Sequence, residues 1–233
     1  MNGEYQTVKL FVDALNNSGI KYLVLRNYEN MLNPELYMEG HGDIDLLCSE
    51  GQALAKAIGA REYVNNKKCG DGVHYYVIIA GQHVSVDLRS VGDGYYCKKW
   101  QNEMLERRVL NECFYVMDAV DYFYSLVYHS ILQKRKFTEE YKGRLSLMAH
   151  NIGLVLRCDS EGEFIGHLES YMQKHGYMYT YPADTFVPLN TKLINKRFLE
   201  RNNKLAFGHW MFDEKVTIIE LLVRVKHFFQ GRK

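Results

Sequence analysis

The stretch Gly40-His41-Gly42-Asp43-Ile44-Asp45-Leu46-Leu47 sets two carboxylates one residue apart in an apolar run, just behind a glycine-flanked turn. Side chains alternate along a strand, so Asp43 and Asp45 project to one face while Ile44 and Leu46 enter a core. Two acids held that close repel each other unless a cation lies between them. Mg2+, or Mn2+ in its place, suits a carboxylate pair that also reaches phosphate oxygens. An Asp-x-Asp alone is weak evidence, expected roughly once in a chain of this length. A third carboxylate strengthens it. His74 to Ala80 and His83 to Ser90 read as two strands of a hairpin around Gly81-Gln82, where Gly at the first turn position suits a type II′ turn. In the second strand Val84, Val86 and Leu88 share one face, and Ser85, Asp87 and Arg89 share the other.

The elements around these residues change character along the chain. Glu4 to Asn16 places Tyr5, Val8, Phe11, Val12 and Leu15 at helical spacing. Ile20 to Leu25 is a short β-rich run, followed by Arg26-Asn27 and a loop with Pro34. Ser49 and Gln52 have capping-box spacing before a helix through Ile58. Asn65 to Gly72, with Lys67-Lys68, is a polar turn region, and Lys98 to Arg107 is a short helix. After Val116 only helical patterns appear. One runs from Asp118 through Lys134 with His129 on an aromatic face, and one is capped by Thr138 and runs toward Leu156. A third covers Phe164 to His175, and Thr180 to Asn190 is a loop with Pro182 and Pro188. A last helix, Asp213 to Phe229, carries Thr217, Glu220, Arg224 and His227 on a narrow polar stripe, as for docking onto the helical region. The expected fold class is α+β: a small mixed sheet with flanking helices in residues 1–116, then a helical domain in residues 117–233.

Composition excludes several classes. Of 233 residues, 47% are hydrophobic and 24% charged, with a net charge of +1, so no global field draws the chain to nucleic acid or membrane. No apolar run approaches the ~20 residues that span a bilayer, and no basic start followed by an apolar segment marks a secretory signal. Five cysteines without a Cys-x-x-Cys pair fit reduced thiols, and the cytoplasm is the expected location. Nine histidines form no metal-ligand spacing, which argues against zinc. The 18 tyrosines, Tyr75-Tyr76 and Tyr95-Tyr96 among them, either pack or offer stacking surfaces.

Strand, loop, Asp-Ile-Asp strand, helix, then a hairpin whose second strand carries one more Asp: over residues 1–95 this order resembles the nucleotidyltransferase superfamily with the polymerase-β-like fold. The resemblance implies Asp43, Asp45 and Asp87 as catalytic metal ligands for Mg2+ (or Mn2+), with a nucleoside triphosphate as substrate. Where that family carries Gly-Ser or Gly-Gly after the first strand, this chain has Leu25-Arg26-Asn27. There Arg26 is suited to clamp a phosphate bidentately and Asn27 to donate an amide hydrogen. The chain is also similar to nucleotidyltransferase-like proteins of bacterial surface-polysaccharide clusters, on Leu-Arg-Asn, Asp-Ile-Asp-Leu-Leu and a later helix with His129 and Lys134. The expectation is transfer of a nucleotidyl group to the hydroxyl or phosphate of a small acceptor, with no nucleic-acid or membrane partner. Two alternatives stand beside it. One is a binding module that keeps the fold without the chemistry, and the other is an Asp-x-Asp glycosyltransferase.

Overall fold

The computed structural model describes residues 3–33, 35, 37, 42–63, 73–134 and 136–230, without the side chains of 214, 216, 217 and 220–230. Pro34, the Gly40-His41 turn, Lys67-Lys68 and Arg135 lie outside the described residues, as do the side chains of Thr217, Glu220, Arg224 and His227. The strands are β1 (Glu4–Tyr5), β2 (Tyr22–Val24), β3 (Asp43–Cys48), β4 (Arg61–Glu62), β5 (His74–Ile79), β6 (Gln82–Ser90), β7 (Val109–Asn111) and β8 (Phe114–Val116). The helices are α1 (Val8–Asn17), α2 (Gly51–Ala57), α3 (Lys98–Arg107), α4 (Ala119–Val127), α5 (Glu139–Asn151), α6 (Glu161–His175) and α7 (Asn203–Gln230). The protein is therefore mixed α/β, with a mixed sheet larger than the small one expected.

The strand order is β1-β5-β6-β3-β2-β8-β7, with β4 also pairing β5. β3 runs antiparallel to β2 and parallel to β6, and β5 and β6 are antiparallel. Alternation along these strands separates two cores. Tyr22, Val24, Ile44, Leu46, Cys48, Val84, Val86 and Leu88 pack with α1 and α2 on one face. Leu23, Leu25 and Leu47 face the other way and join Tyr95, Trp100, Phe123 and Tyr128 of the helical region. The carboxylates of β3 and β6 thus lie on the face that the helical region covers.

Several boundaries differ from expectation for local reasons. Glu4 and Tyr5 pair with Ile78 and Ile79, which delays α1 to Val8 under a Thr7 cap. Ser49 does not cap α2, because its amide still bonds Lys21 O at 2.9 Å as an extension of the sheet, and Glu50 takes the cap position. The β5–β6 turn is centred on Ala80 (φ 50°) and Gly81 (φ 80°), so two successive left-handed residues make it type I′ rather than II′. Strands β7 and β8, a hairpin turning at Glu112 (φ 53°), extend the sheet through the parallel pairing of Val24 with Val116. Gly153 (φ 73°) stops α5 short of Leu156. The last helix begins at Asn203, with Asn202 Oδ1 accepting from Leu205 N at 3.1 Å. Its first turns pack through the buried His209, while Phe207, Trp210, Met211, Ile218 and Ile219 face solvent.

Candidate functional site

Register brings the acids together. Across the parallel β3–β6 pair Asp45 stands directly opposite Asp87, and Asp43 is opposite Ser85, two residues along on the same face. Leu25 N donates to Asp45 O at 2.9 Å, extending β2 by one residue, so Arg26 leaves the sheet beside Asp45. Its Nη2 lies 2.9 Å from Asp45 Oδ2. Asn27 follows in the left-handed region (φ 55°), and its Oδ1 accepts from Arg144 Nη1 at 3.1 Å. All four residues line a cavity of about 600 Å³ with Asp87, His129 and Lys134, so the seven residues singled out in the sequence share one pocket.

The opposite wall joins Tyr95 and His129 to residues whose roles the sequence did not indicate, Gln133 and Asp184 among them. Asp93 accepts from Ser90 N (3.1 Å), Tyr95 N (2.9 Å) and Gln101 Nε2 (2.7 Å), which folds the turn after β6 and fixes Tyr95. The Tyr95 ring lies against the Arg89 guanidinium, 4.5 Å from Cζ to centroid, and its hydroxyl accepts from Arg26 Nη1 at 2.8 Å. Tyr96, beside it, is buried core. Past α4 the helix widens to a π turn over Tyr128–Leu132, a distortion frequent at functional sites. His129 sits in that turn with Nδ1 3.0 Å from Tyr95 Oη and 3.3 Å from Arg26 Nη1, and Gln133 Nε2 donates to Tyr95 O at 2.7 Å. The loop expected over Thr180 to Asn190 forms a roof, with Asp184, Phe186, Val187 and Pro188 lining the cavity. Arg89 Nη1 donates to Asp184 Oδ2 at 3.2 Å, and its Nη2 lies 3.8 Å from Asp87 Oδ2. Gly94 (φ 74°) lets the roof approach, since a Cβ there would stand 2.3 Å from Tyr181 O.

Charge in the pocket is dense and incompletely balanced. Four aspartates face Arg26, Arg89 and Lys134. Asp43 is exposed at the start of β3, and partial loss of water around its carboxyl, then the Asp45 charge, push it above its ordinary range against the pull of Arg26 and Lys134. Burial and Asp45 do the same to Asp87, against His74 and Arg89. Burial, with Arg26 and Lys134 nearby, drives His129 well below the usual imidazole range, so it is neutral at physiological pH. Burial works against the charge on Arg26, yet Asp45 and Tyr95 keep its pKa above the ordinary value.

This chemistry fits a hard divalent cation in one particular way. The donors are carboxylate oxygens, and four aspartates face three basic side chains there, so a cation adds the missing positive charge. Among the described residues no three His, Cys, Asp or Glu side chains form a ready-made metal cage. Mg2+ is usually held by one or two carboxylates together with substrate phosphates, so the set suits a cation that arrives with its own oxygen ligands. The four described cysteines, Cys48, Cys97, Cys113 and Cys158, are free thiols and none lines the pocket. Among the described residues no helix is long and apolar enough to cross a membrane. Comparison with family models, with curated proteins and with solved structures gives no match.

Proposed function

We propose that this chain is a metal-dependent nucleotidyltransferase that moves a nucleotidyl group from a nucleoside triphosphate to a hydroxyl or phosphate of a small acceptor. The observation that carries this reading is the pairing of Asp45 with Asp87 across β3 and β6, with Asp43 on the same face. Such a trio on one face of a sheet is what the chemistry asks for. Bound there with the nucleotide, Mg2+ supplies charge neutralisation at the triphosphate and a lowered pKa for the attacking hydroxyl. In this reading Asp43 and Asp45 hold the cation. Asp87, whose affinity for protons is raised by burial and by Asp45, accepts the hydroxyl proton. Arg26, Asn27 and Lys134 meet the phosphates. His129, held at Nδ1 by Arg26, Tyr95 and Gln133, is a neutral side chain in the pocket wall.

The test is calorimetric titration with nucleoside triphosphates and Mg2+ against wild type, Asp43→Ala and Asp45→Ala, followed by pyrophosphate release over a panel of acceptors. Mg2+-dependent binding by wild type and its loss in both variants is expected. Identical behaviour of all three proteins removes the reading. A second reading, a non-catalytic binding module, is favoured by the ion pair of Arg26 with Asp45, and pyrophosphate release with any acceptor excludes it. The direct pairing of Asp87 with Asp45 argues against the glycosyltransferase alternative.

A further inference from the structure

The Arg26–Asp45 pair is built more elaborately than a phosphate clamp requires. Asp45 is buried and the Arg26 side chain is only 11% exposed. A buried pair repays the loss of water only when further hydrogen bonds satisfy its remaining groups. Arg26 has these on its second nitrogen, where Nη1 donates to Tyr95 Oη at 2.8 Å and lies 3.3 Å from His129 Nδ1. His129 Nδ1 also lies 3.0 Å from Tyr95 Oη and 3.4 Å from Gln133 Oε1, so the ring is held by three neighbours on that one nitrogen. Nη1 is therefore anchored in a cradle that makes no use of Asp45, and only Nη2 rests on the carboxylate. Across the strand pair, Arg89 spans Asp87 and Asp184 in a similar way. Each of the two register-paired acids thus has an arginine beside it, and both arginines contact Tyr95.

We propose, resting on the nucleotidyltransferase reading, that Arg26 is a resident counter-cation: it occupies Asp45 until a divalent cation arrives already bound to a triphosphate. Its Nη2 then passes from Asp45 to a phosphate oxygen while Nη1 stays in the Tyr95–His129 cradle. A bare divalent cation approaching Asp45 meets the positive charge of Arg26 and must displace it from its carboxylate without bringing an anion in exchange. The metal–triphosphate complex brings an anion that takes over the guanidinium, so the exchange leaves no buried charge unpaired. The ligand of this pocket is the complex, not the ion followed by the nucleotide.

Calorimetric titrations of the full chain with Mn2+ alone and with equimolar Mn2+–tripolyphosphate test this, using wild type and Arg26→Gln. Wild type is expected to bind Mn2+ alone more weakly than the complex by about tenfold or more, the factor one adjacent arginine is worth to a carboxylate. Arg26→Gln is expected to bind Mn2+ alone about tenfold more tightly than wild type and the complex more weakly. Equal wild-type affinity for Mn2+ and for the complex overturns the proposal, and so does a variant with no gain for Mn2+. The wild-type comparison decides even where circular dichroism shows the variant unfolded. The two readings fail separately. Nucleoside triphosphates that bind no better than tripolyphosphate remove the nucleotide while leaving the counter-cation. Tight nucleotide binding with unchanged Mn2+ affinity in Arg26→Gln does the reverse.

Discussion

Asp43 and Asp87 hold their protons more tightly in the folded chain than carboxylates in water do. Between the ordinary carboxylate pKa and the raised one, the native state therefore binds more protons than the unfolded state. Stability falls as pH climbs through that window, and the whole cost remains at neutral pH. Asp43→Asn keeps the shape and removes the charge, so it is expected to be more stable than wild type in urea at pH 7. Its advantage should shrink as pH is brought down toward ~4, where an ordinary aspartate protonates. The same variant should lose metal–triphosphate binding, because a site charged for function is destabilised at rest. An advantage that does not change with pH would show that Asp43 is no more strained than a surface acid.

The hairpin of β5 and β6 delivers Asp87 and Arg89, and its turn sets the register. A slip of one residue would turn both side chains into the apolar face now held by Val86 and Leu88. Ala80 occupies the first left-handed position at φ 50°, which an L-residue with a Cβ adopts at a cost of roughly 1 kcal/mol. Asn tolerates that conformation, and Asn-Gly is the favoured type I′ pair. Ala80→Asn is therefore expected to raise unfolding stability by about 0.5–1 kcal/mol with the pocket unchanged. Chemical denaturation measures it, and a destabilised variant would mean that the turn is not type I′ in solution. The helices supply the complementary wall by equally local means. Asp118 accepts from Asp121 N to start α4, and the π turn that follows rotates His129 toward Tyr95.

The sheet divides the molecule into two cores, and the pocket opens where the second core gives way to charge. Its roof is held from several directions. Ala183 N donates to Asp93 O at 2.7 Å, His209 Nε2 lies 2.8 Å from Pro182 O, and Asn190 N donates to Leu132 O at 2.8 Å. The Phe186 and Phe212 rings meet edge-on at 4.9 Å. Because Phe212 touches the roof rather than either core, Phe212→Ala should cost no more than about 1 kcal/mol of global stability. It should nevertheless speed amide exchange across residues 183–188 and weaken ligand binding. Hydrogen exchange by mass spectrometry checks the first effect and calorimetry the second. Unchanged exchange would show that the Phe186–Phe212 contact has no part in holding the roof.

Much of the site was legible along the chain because the rules behind it are local. Alternation in a pleated strand puts Asp43 with Asp45 and Asp87 with Arg89 from the sequence alone, and the helix starts at Asp118 and Thr138 follow from side chains reaching their own backbone. Other features depend on distances between remote segments, which no local rule contains. The opposition of Asp45 and Asp87 is a register between strands separated by a helix and a hairpin. The parallel addition of β8 to β2 and the closure of the roof by Asp184 are of the same kind. Arg26 shows the difference most plainly: its place after β2 was visible in the sequence, but its partner was not. Which oxygen a buried guanidinium takes is settled by how closely packing brings Asp45, Tyr95 and His129 around it.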